Sequence, residues 1–262
     1  GIDYKPFNYY GDPEATKVSV ARGSVCGAAE ETVDYLRSKG EKVGVLEVHL
    51  YRPFSAKYFF NVMPKTVKKI AVLDRTKEPG SLGEPLYLDI CNLYKDCADA
   101  PKIVGGRFGL GSKDTTPAQI IAVFKNTEKK RFTIGINDDV TNLSLALDEN
   151  PDTTPAGITS CKFWGLGADG TVGANKNSVK IIGDHTDMNV QAYFDYDSKK
   201  SGGLTVSHLR FGNAKITSTY LINKADFVAC HKASYIRQYN MVEDVKPGGV
   251  FLLNCSWNTE EL

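Results

Sequence analysis

A glycine-rich segment from Trp164 to Lys176 lies between an apolar run and a helical pattern. It contains the spacing G-x-G-x-x-G at Gly165, Gly167 and Gly170. Glycines at this spacing allow a tight turn from a strand into a helix and let a ligand approach the backbone closely. The segment therefore predicts a strand–loop–helix unit of an α/β fold.

Strand-like and helix-like patterns alternate along the rest of the chain. In the first half the predicted strands are 17–22, 43–50, 69–73, 102–108 and 131–136, and the main predicted helices are 24–38, 83–94 and the segment after Pro117. In the second half the predicted strands are 158–164, 189–196, 204–211, 216–222, 227–230 and a buried last strand at 250–255, with helices ending near 182 and spanning 233–243. This alternation predicts mostly parallel sheets with helices on both faces.

The length of 262 residues and a polar stretch in the middle predict two three-layer α/β domains. We expect the first domain over 1–138, a linker over 139–157 and the second domain over 158–262. The chain begins at Gly1 rather than Met, and it stops directly after the last predicted strand. We therefore expect it to be cut from a longer polypeptide.

Composition argues against several classes of partner. The formal net charge of +1 disfavours nucleic acid, because domains that bind it usually carry a clear basic excess. No apolar run approaches the roughly 18 residues of a membrane span. The six cysteines form no C-x-x-C pair, so the sequence favours buried free thiols in a reducing cytoplasm and gives no metal site.

Two loops of the second half are candidate anion sites. Main-chain N–H groups of Gly170 to Gly173 would point at an anion near the start of a helix, with Lys176 one turn further on. Asp195 and Asp197 keep a nicotinamide dinucleotide open as the ligand. The following Lys199-Lys200-Ser201-Gly202-Gly203 suits a phosphate on the ribose better, as in NADP or coenzyme A. The alternative is a tight turn and a solvated lysine pair that bind nothing.

Catalytic patterns are absent from the sequence. His208 alternates with apolar positions, and a structural role is the favoured interpretation. His49, His185 and His231 have no serine, cysteine or carboxylate arrangement typical of a triad. The loop that carries Arg75, Lys77 and Glu78 suits either a functional site or a domain contact. The sequence therefore predicts ligand-binding loops and no catalytic residue.

The second half resembles the gamma domain of the pyruvate:ferredoxin (flavodoxin) oxidoreductases, which belong to the 2-oxoacid oxidoreductase family. The segments that carry this resemblance are 163–176, 196–203, 206–210 and 223–231. The first half resembles the preceding domain of those enzymes, which is similar to a transketolase C-terminal domain, through 51–54, 71–80 and 106–113. The resemblance implies a Rossmann-like gamma domain that is truncated at its C-terminus.

Membership of this family implies an enzyme that oxidatively decarboxylates pyruvate with coenzyme A, giving acetyl-CoA, carbon dioxide and low-potential electrons. It also implies thiamine diphosphate and [4Fe-4S] clusters bound outside this segment, a homodimer, and ferredoxin or flavodoxin as electron acceptor. The remaining domains of the same polypeptide would be the partners of this chain. The chain alone is then expected to be inactive.

The resemblance further implies that the gamma domain helps to hold coenzyme A, with no catalytic or metal-binding residue in this chain. The residues to which that role is carried over are Asp169, Gly170, Thr171, Val172, Asn175, Lys176, Lys199, Lys200, Ser201 and Gly202. Two alternatives stay open at this point. One is an NAD(P)-binding dehydrogenase domain, and the other is a scaffold domain that binds nothing.

Overall fold

The computed structural model describes residues 4–138, 140–167, 169–197, 202–258 and 260. It divides into two compact units. Unit 1 consists of Gly1–Thr153 with Thr217–Tyr220, and unit 2 consists of Thr154–Ile216 with Leu221–Leu262. Each unit is built of strands and helices around its own sheet, so the predicted α/β class is confirmed. Among the described residues, no helix has the length and apolar character needed to cross a membrane.

Unit 1 contains a six-stranded sheet in the order β1-β3-β2-β4-β5-β6. All neighbouring strands are parallel except β1, which pairs antiparallel with β3. The strands are β1 Phe7–Gly11, β2 Lys17–Ala21, β3 Val43–Val48, β4 Lys69–Asp74, β5 Lys102–Arg107 and β6 Arg131–Thr133. The helices are α1 Val25–Ser38, α2 Ala56–Val62, α3 Pro85–Tyr94 and α4 Pro117–Lys125, with a short 3-10 helix at Leu110–Ser112.

Two hydrophobic cores lie on opposite faces of this sheet. Side chains alternate along β4, so Ile70 and Val72 pack with α2 and α3, whereas Ala71 and Leu73 pack with α1 and α4. Every residue of β3 is buried, as expected for an inner strand of a sheet that is covered on both faces. Unit 1 therefore has the predicted three layers.

The segment Thr217–Tyr220 belongs to unit 1, where hydroxyl groups bind it to α1. The buried carboxylate of Glu31 accepts hydrogen bonds from Ser218 at 2.5 Å and from Tyr220. Thr219 Oγ1 donates to the carbonyl oxygen of Ser24 at 2.7 Å. The predicted strand at 216–222 is therefore wrong, because side-chain hydroxyls rather than a backbone ladder hold this segment.

Unit 2 contains a five-stranded sheet in the order β11-β10-β7-β9-β8. Strand β10 is parallel to β7 and β11, whereas β9 is antiparallel to β7 and β8. The elements are β7 Ile158–Leu166, α5 Thr171–His185, β8 Asn189–Tyr196, β9 Leu204–Gly212, β10 Ala225–Cys230 and β11 Val245–Leu253. Because β7 and β8 both run antiparallel to β9, they are parallel to each other and are joined by α5.

Two predictions for the end of unit 2 are wrong. The segment 233–243 forms two 3-10 helices, Ala233–Arg237 and Met241–Asp244, instead of one α-helix. These tight turns place Tyr239 against Trp164, with ring centroids 5.5 Å apart. The predicted last buried strand is partly buried on one face and exposed on the other, since Phe251 and Leu253 of β11 are partly buried and Val250 and Leu252 are 54% and 45% exposed.

Candidate ligand site

A cavity lies at the carboxyl ends of the neighbouring strands β7 and β10 of unit 2. At this point the connections that follow the two strands lead to opposite sides of the sheet. From β7 the chain passes through α5 to β8 on one side, whereas β10 lies beside β7 on the other side. In open α/β sheets, ligands bind at such a switch point. The N–H group of His231 donates to the carbonyl oxygen of Trp164 at 2.8 Å and holds the two strand ends together.

The cavity has a volume of about 290 Å³. It is lined by Phe163, Asp169, Gly170, Thr171, Ala174, Asn175, Ser178 and His231. Pockets for whole small molecules span about 300–1,000 Å³. This cavity lies at the lower end of that range and has room for a small molecule or for one part of a larger one.

Asp169 fixes the loop between β7 and α5. Its two carboxylate oxygens accept backbone N–H groups from Leu166 at 2.8 Å and from Thr171 at 2.9 Å. Partial burial alone would raise the pKa of Asp169, but the hydrogen bonds from Thr171 and Leu166 outweigh it and keep the pKa below its usual value. The carboxylate is thus ionised at neutral pH and presents a negative charge to the cavity.

Two glycines of the fingerprint are required for different reasons. Gly170 has a φ of 81°, a left-handed conformation that side chains with a Cβ rarely adopt. At Gly165, an added Cβ would lie 2.6 Å from Asp169 Oδ2 and 2.7 Å from Thr171 Oγ1. The start of α5 can therefore approach β7 this closely only because residue 165 has no side chain.

Gly165→Ala is expected to lower the free energy of unfolding by about 1–3 kcal/mol, because the added methyl group must push the loop away from β7. Gly173→Ala is the matched control, since a Cβ there meets nothing within 4 Å. In a helix, alanine is favoured over glycine by about 0.5–1 kcal/mol, so this control should gain stability. Urea unfolding monitored by circular dichroism measures both. Equal effects of the two substitutions would contradict the close approach.

The structure brings some of the predicted ligand residues together and separates others. Those that line the cavity are Asp169, Gly170, Thr171 and Asn175. Val172 and Lys176 do not line it, and the Lys176 ammonium lies over the ring of Phe194 at 5.6 Å. The N–H group of Thr171 donates to Asp169, so the expectation that it points at an anion is wrong. Val172 and Gly173 supply the remaining N–H groups of the first turn.

Gly203, the end of the second predicted loop, lies next to the first loop. The N–H group of Gly167 donates to the carbonyl oxygen of Gly203 at 2.9 Å, which joins the glycine-rich loop to the β8–β9 turn. Gly202 in this turn has a φ of 69°. Lys199, Lys200 and Ser201 lie outside the described residues. Asp195 and Asp197 do not line the cavity.

Sequence reasoning missed four residues of the cavity wall: Phe163, Ala174, Ser178 and His231. A signal existed for two of them, because Thr171, Ala174 and Ser178 recur on one face of a helix. The rings of Phe163 and His231 are nearly parallel, at 16°, with centroids 6.4 Å apart. That pairing joins β7 to the residue after β10, which is distant in the sequence, so no local pattern indicates it.

His208 lies in the core of unit 2 and not in the cavity wall. It is 3% exposed, and its Nδ1 accepts the N–H group of Ile222 at 3.0 Å. This hydrogen bond agrees with the structural role favoured from the sequence. Across the described part of the chain, no group of three or more His, Cys, Asp or Glu side chains is placed to hold a metal ion.

Comparison with known proteins gives two family matches. Residues 160–261 match the family described as pyruvate ferredoxin/flavodoxin oxidoreductase. Residues 15–120 match the one described as pyruvate:ferredoxin oxidoreductase core domain II. The two matches fall in the two halves of the chain that carried the resemblance.

Similar proteins are known from several bacteria. The chain is 60% identical to pyruvate-flavodoxin oxidoreductase of Enterobacter agglomerans and 58% identical to pyruvate:ferredoxin oxidoreductase of Moorella thermoacetica. Each alignment covers 100% of this chain but only 23% of the relative. Pyruvate-flavodoxin oxidoreductase of Klebsiella pneumoniae is 56% identical over the same share of its length. Matched in both halves and along its whole length, the chain belongs to the pyruvate:ferredoxin/flavodoxin oxidoreductase family.

Proposed function

We propose that the chain is a segment of a longer enzyme that oxidatively decarboxylates pyruvate. Pyruvate and coenzyme A would give acetyl-CoA and carbon dioxide, and a pair of electrons would pass to ferredoxin or flavodoxin. The names of relatives that are 60% and 58% identical support this activity. Their length supports a larger polypeptide, since the chain spans 23% of each.

Within that enzyme, unit 2 contributes to the binding of coenzyme A. The observation that carries this role is the cavity at the switch point, bordered by the glycine-rich loop, which is joined through Gly167 and Gly203 to the segment between β8 and β9. The first-turn N–H groups of α5 and the positive end of its dipole suit phosphate oxygens. Lys199 and Lys200 would bind the 3′-phosphate as charged donors.

The negative charge of Asp169 indicates that the phosphates of coenzyme A and its uncharged part bind in different regions of the site. An ionised carboxylate in the cavity wall repels phosphate, so the phosphates should lie along the outer side of the loop. The cavity itself is then left for an uncharged part of the carrier. Its small volume of about 290 Å³ agrees with this division.

The redox chemistry belongs to other parts of the polypeptide. Thiamine diphosphate and [4Fe-4S] clusters supply it when bound, but the described residues of this chain offer no donor set for a cluster. No catalytic step is assigned to this chain, and it should be inactive alone. Unit 1 would serve as a packing domain, within the proposed boundaries 1–138, 139–157 and 158–262.

The same proposal includes the partners and the compartment. The chain would work in a homodimer, pack against the other domains of its own polypeptide, and have no nucleic-acid or membrane partner. Its six cysteines are free thiols, which supports a reducing cytoplasm. The net charge of +1 supports the absence of a nucleic-acid partner.

In the full-length enzyme, Lys199→Ala with Lys200→Ala should raise the KM for coenzyme A roughly tenfold or more, because two charge-assisted contacts to the 3′-phosphate are lost. The KM for pyruvate and the kcat at saturating coenzyme A should not change. Dephospho-coenzyme A lacks that phosphate, so its KM should be equally high for the wild type and for the double variant. Steady-state kinetics with the two thiol substrates measures these effects.

Lys180→Ala is the control for the loss of one exposed lysine, since Lys180 lies further along α5 and does not line the cavity. It should leave the KM for coenzyme A unchanged. If the double variant also leaves it unchanged, the lysine pair does not contact coenzyme A and the assignment of the second loop is wrong.

A further inference from the structure

One side of the sheet in unit 2 exposes a row of apolar side chains. In the parallel register of β7, β10 and β11, Phe227 pairs with Val250 and Ala229 pairs with Leu252 and Phe163. Paired residues of parallel strands share a face of the sheet. We call Phe163, Phe227, Val250 and Leu252 the β10–β11 face; Val250 and Leu252 are 54% and 45% exposed, and the two rings are partly buried.

The described helices of unit 2 leave this face open. Helix α5 lies on the same side of the sheet but packs mainly against β8 and β9. The two 3-10 helices pack against β10 from the opposite side, where Tyr235 and Met241 join Val228 and Cys230 in the core. The layer formed by α5 therefore covers β8 and β9 but does not extend over β10 and β11.

The sequence of β11 is typical of a strand that is covered on both faces. Val250 to Leu253 is a continuous apolar run, whereas a strand with one solvated face alternates apolar and polar residues. Phe251 and Leu253 account for one half of this pattern, because they pack, partly buried, against the core of unit 2. Val250 and Leu252 are the other half, so their exposure indicates a missing partner.

We propose that the β10–β11 face is the docking surface for an apolar helix face contributed by another region of the same longer polypeptide. The proposal depends on the proposed function in one respect only, that this chain is part of such a polypeptide. The relatives supply the candidate, since about three quarters of their length lies outside the region that this chain matches.

The chemistry of the face favours a permanent partner over a transient one. Transient protein interfaces are more polar than permanent ones, whereas these four side chains are purely apolar. Parallel strands are normally buried under helices on both faces, and β7, β10 and β11 are parallel to one another. Phe163 belongs both to this face and to the cavity wall, so the docked helix would also complete one side of the cavity.

Site-specific labelling of the full-length enzyme tests the docking. Leu252→Cys introduces a thiol on the face, and Ile181→Cys introduces one on α5 at a similar exposure of 51%. Each is labelled with a water-soluble maleimide in the native enzyme and in urea, and the modified site is counted by mass spectrometry. The Leu252→Cys site should react roughly tenfold or more slowly in the native enzyme than in urea, because labelling requires local opening. A native rate within twofold of that for Ile181→Cys would overturn the proposal.

Photocrosslinking identifies the occupant. Leu252→Cys is labelled in urea with a benzophenone maleimide, the enzyme is refolded and illuminated, and the crosslinked peptides are sequenced. A crosslink to a peptide of the same polypeptide outside the region of this chain is the expected result. A crosslink to a second copy or to added ferredoxin would overturn the proposal. Neither outcome depends on the KM for coenzyme A, so this proposal and the coenzyme A assignment can fail separately.

Discussion

Glu84→Ala should lower the free energy of unfolding by about 3–5 kcal/mol, the cost of leaving a buried cation without its partner. Glu84 is 2% exposed and lies directly before α3. Its Oε1 accepts a hydrogen bond from Arg107 Nε at 2.6 Å, and Arg131 lies 3.4 Å away. The Arg107 side chain is only 14% exposed, so water should replace the lost carboxylate poorly.

The pKa of Glu84 gives the pH dependence of the same interaction. Burial raises the pKa, but the hydrogen bond and charge of Arg107 and the charge of Arg131 outweigh it, so the pKa is lowered overall. A lowered pKa in the folded state means that this stabilisation is complete above the unfolded value of about 4.3 and is lost as the pH falls below it. Glu84→Ala should therefore cost less stability at acidic pH than at pH 7.

Glu14→Ala is the matched control, because Glu14 also pairs with a cation but on the surface. Its Oε2 lies 2.8 Å from Lys42 Nζ, and the two side chains are 68% and 54% exposed. Exposed pairs of this kind contribute about 0–1 kcal/mol. Urea unfolding at pH 7 compares the two variants. A loss at Glu84 no larger than the loss at Glu14 would mean that the arginines find other partners or water.

The fold could be predicted from the sequence where the signal was local. The loop from Gly165 to Gly170 was identified because its left-handed turn and its close approach to β7 require glycine, and glycine is visible in the sequence. The strands β2 to β6 of unit 1 were found because parallel strands buried on both faces read as apolar runs, whereas the antiparallel strand β1 was not predicted. These features depend on neighbouring residues only.

The sequence could not reveal features that depend on distant partners. Thr217–Tyr220 has the β-branched and aromatic composition of a strand, but its hydroxyl groups bind Glu31 of α1 and Ser24, the residue before α1. The segment 233–243 has a helical apolar pattern, yet Tyr239 packs on Trp164 between two 3-10 helices. His231 reaches the cavity only because β10 lies beside β7. Tertiary contacts overrode the local preference in each case.

The second large effect is expected at His208 and depends on pH. Burial, followed by the charges of Lys162 and Arg210, lowers the pKa of His208 to about 3 from 6.5. Its Nδ1 accepts the N–H group of Ile222, a role that only the neutral ring can fill on that nitrogen. Protonation would therefore place a third positive charge next to two cations and break this hydrogen bond.

The sign of the effect follows from the two pKa values. Above pH 6.5 the ring is neutral in both the folded and the unfolded chain, so it contributes no pH dependence. Between pH 6.5 and about 3, the unfolded chain binds a proton on this ring that the folded chain excludes. The free energy of unfolding should then fall by about 1.4 kcal/mol for each pH unit in this window.

His208→Asn isolates this contribution, because the asparagine side-chain oxygen can accept the N–H group of Ile222 and does not titrate. The smaller asparagine side chain should lower the free energy of unfolding by an amount that does not depend on pH. Unfolding at pH 7.5 measures this amount. As the pH falls from 6.0 to 4.5, the stability advantage of the wild type should shrink by about 1.4 kcal/mol per pH unit. His185→Asn, at an exposed position, should leave the wild-type slope unchanged. Parallel slopes for wild type and His208→Asn in urea titrations would show that the folded core accepts the proton, in conflict with the buried position beside Lys162 and Arg210.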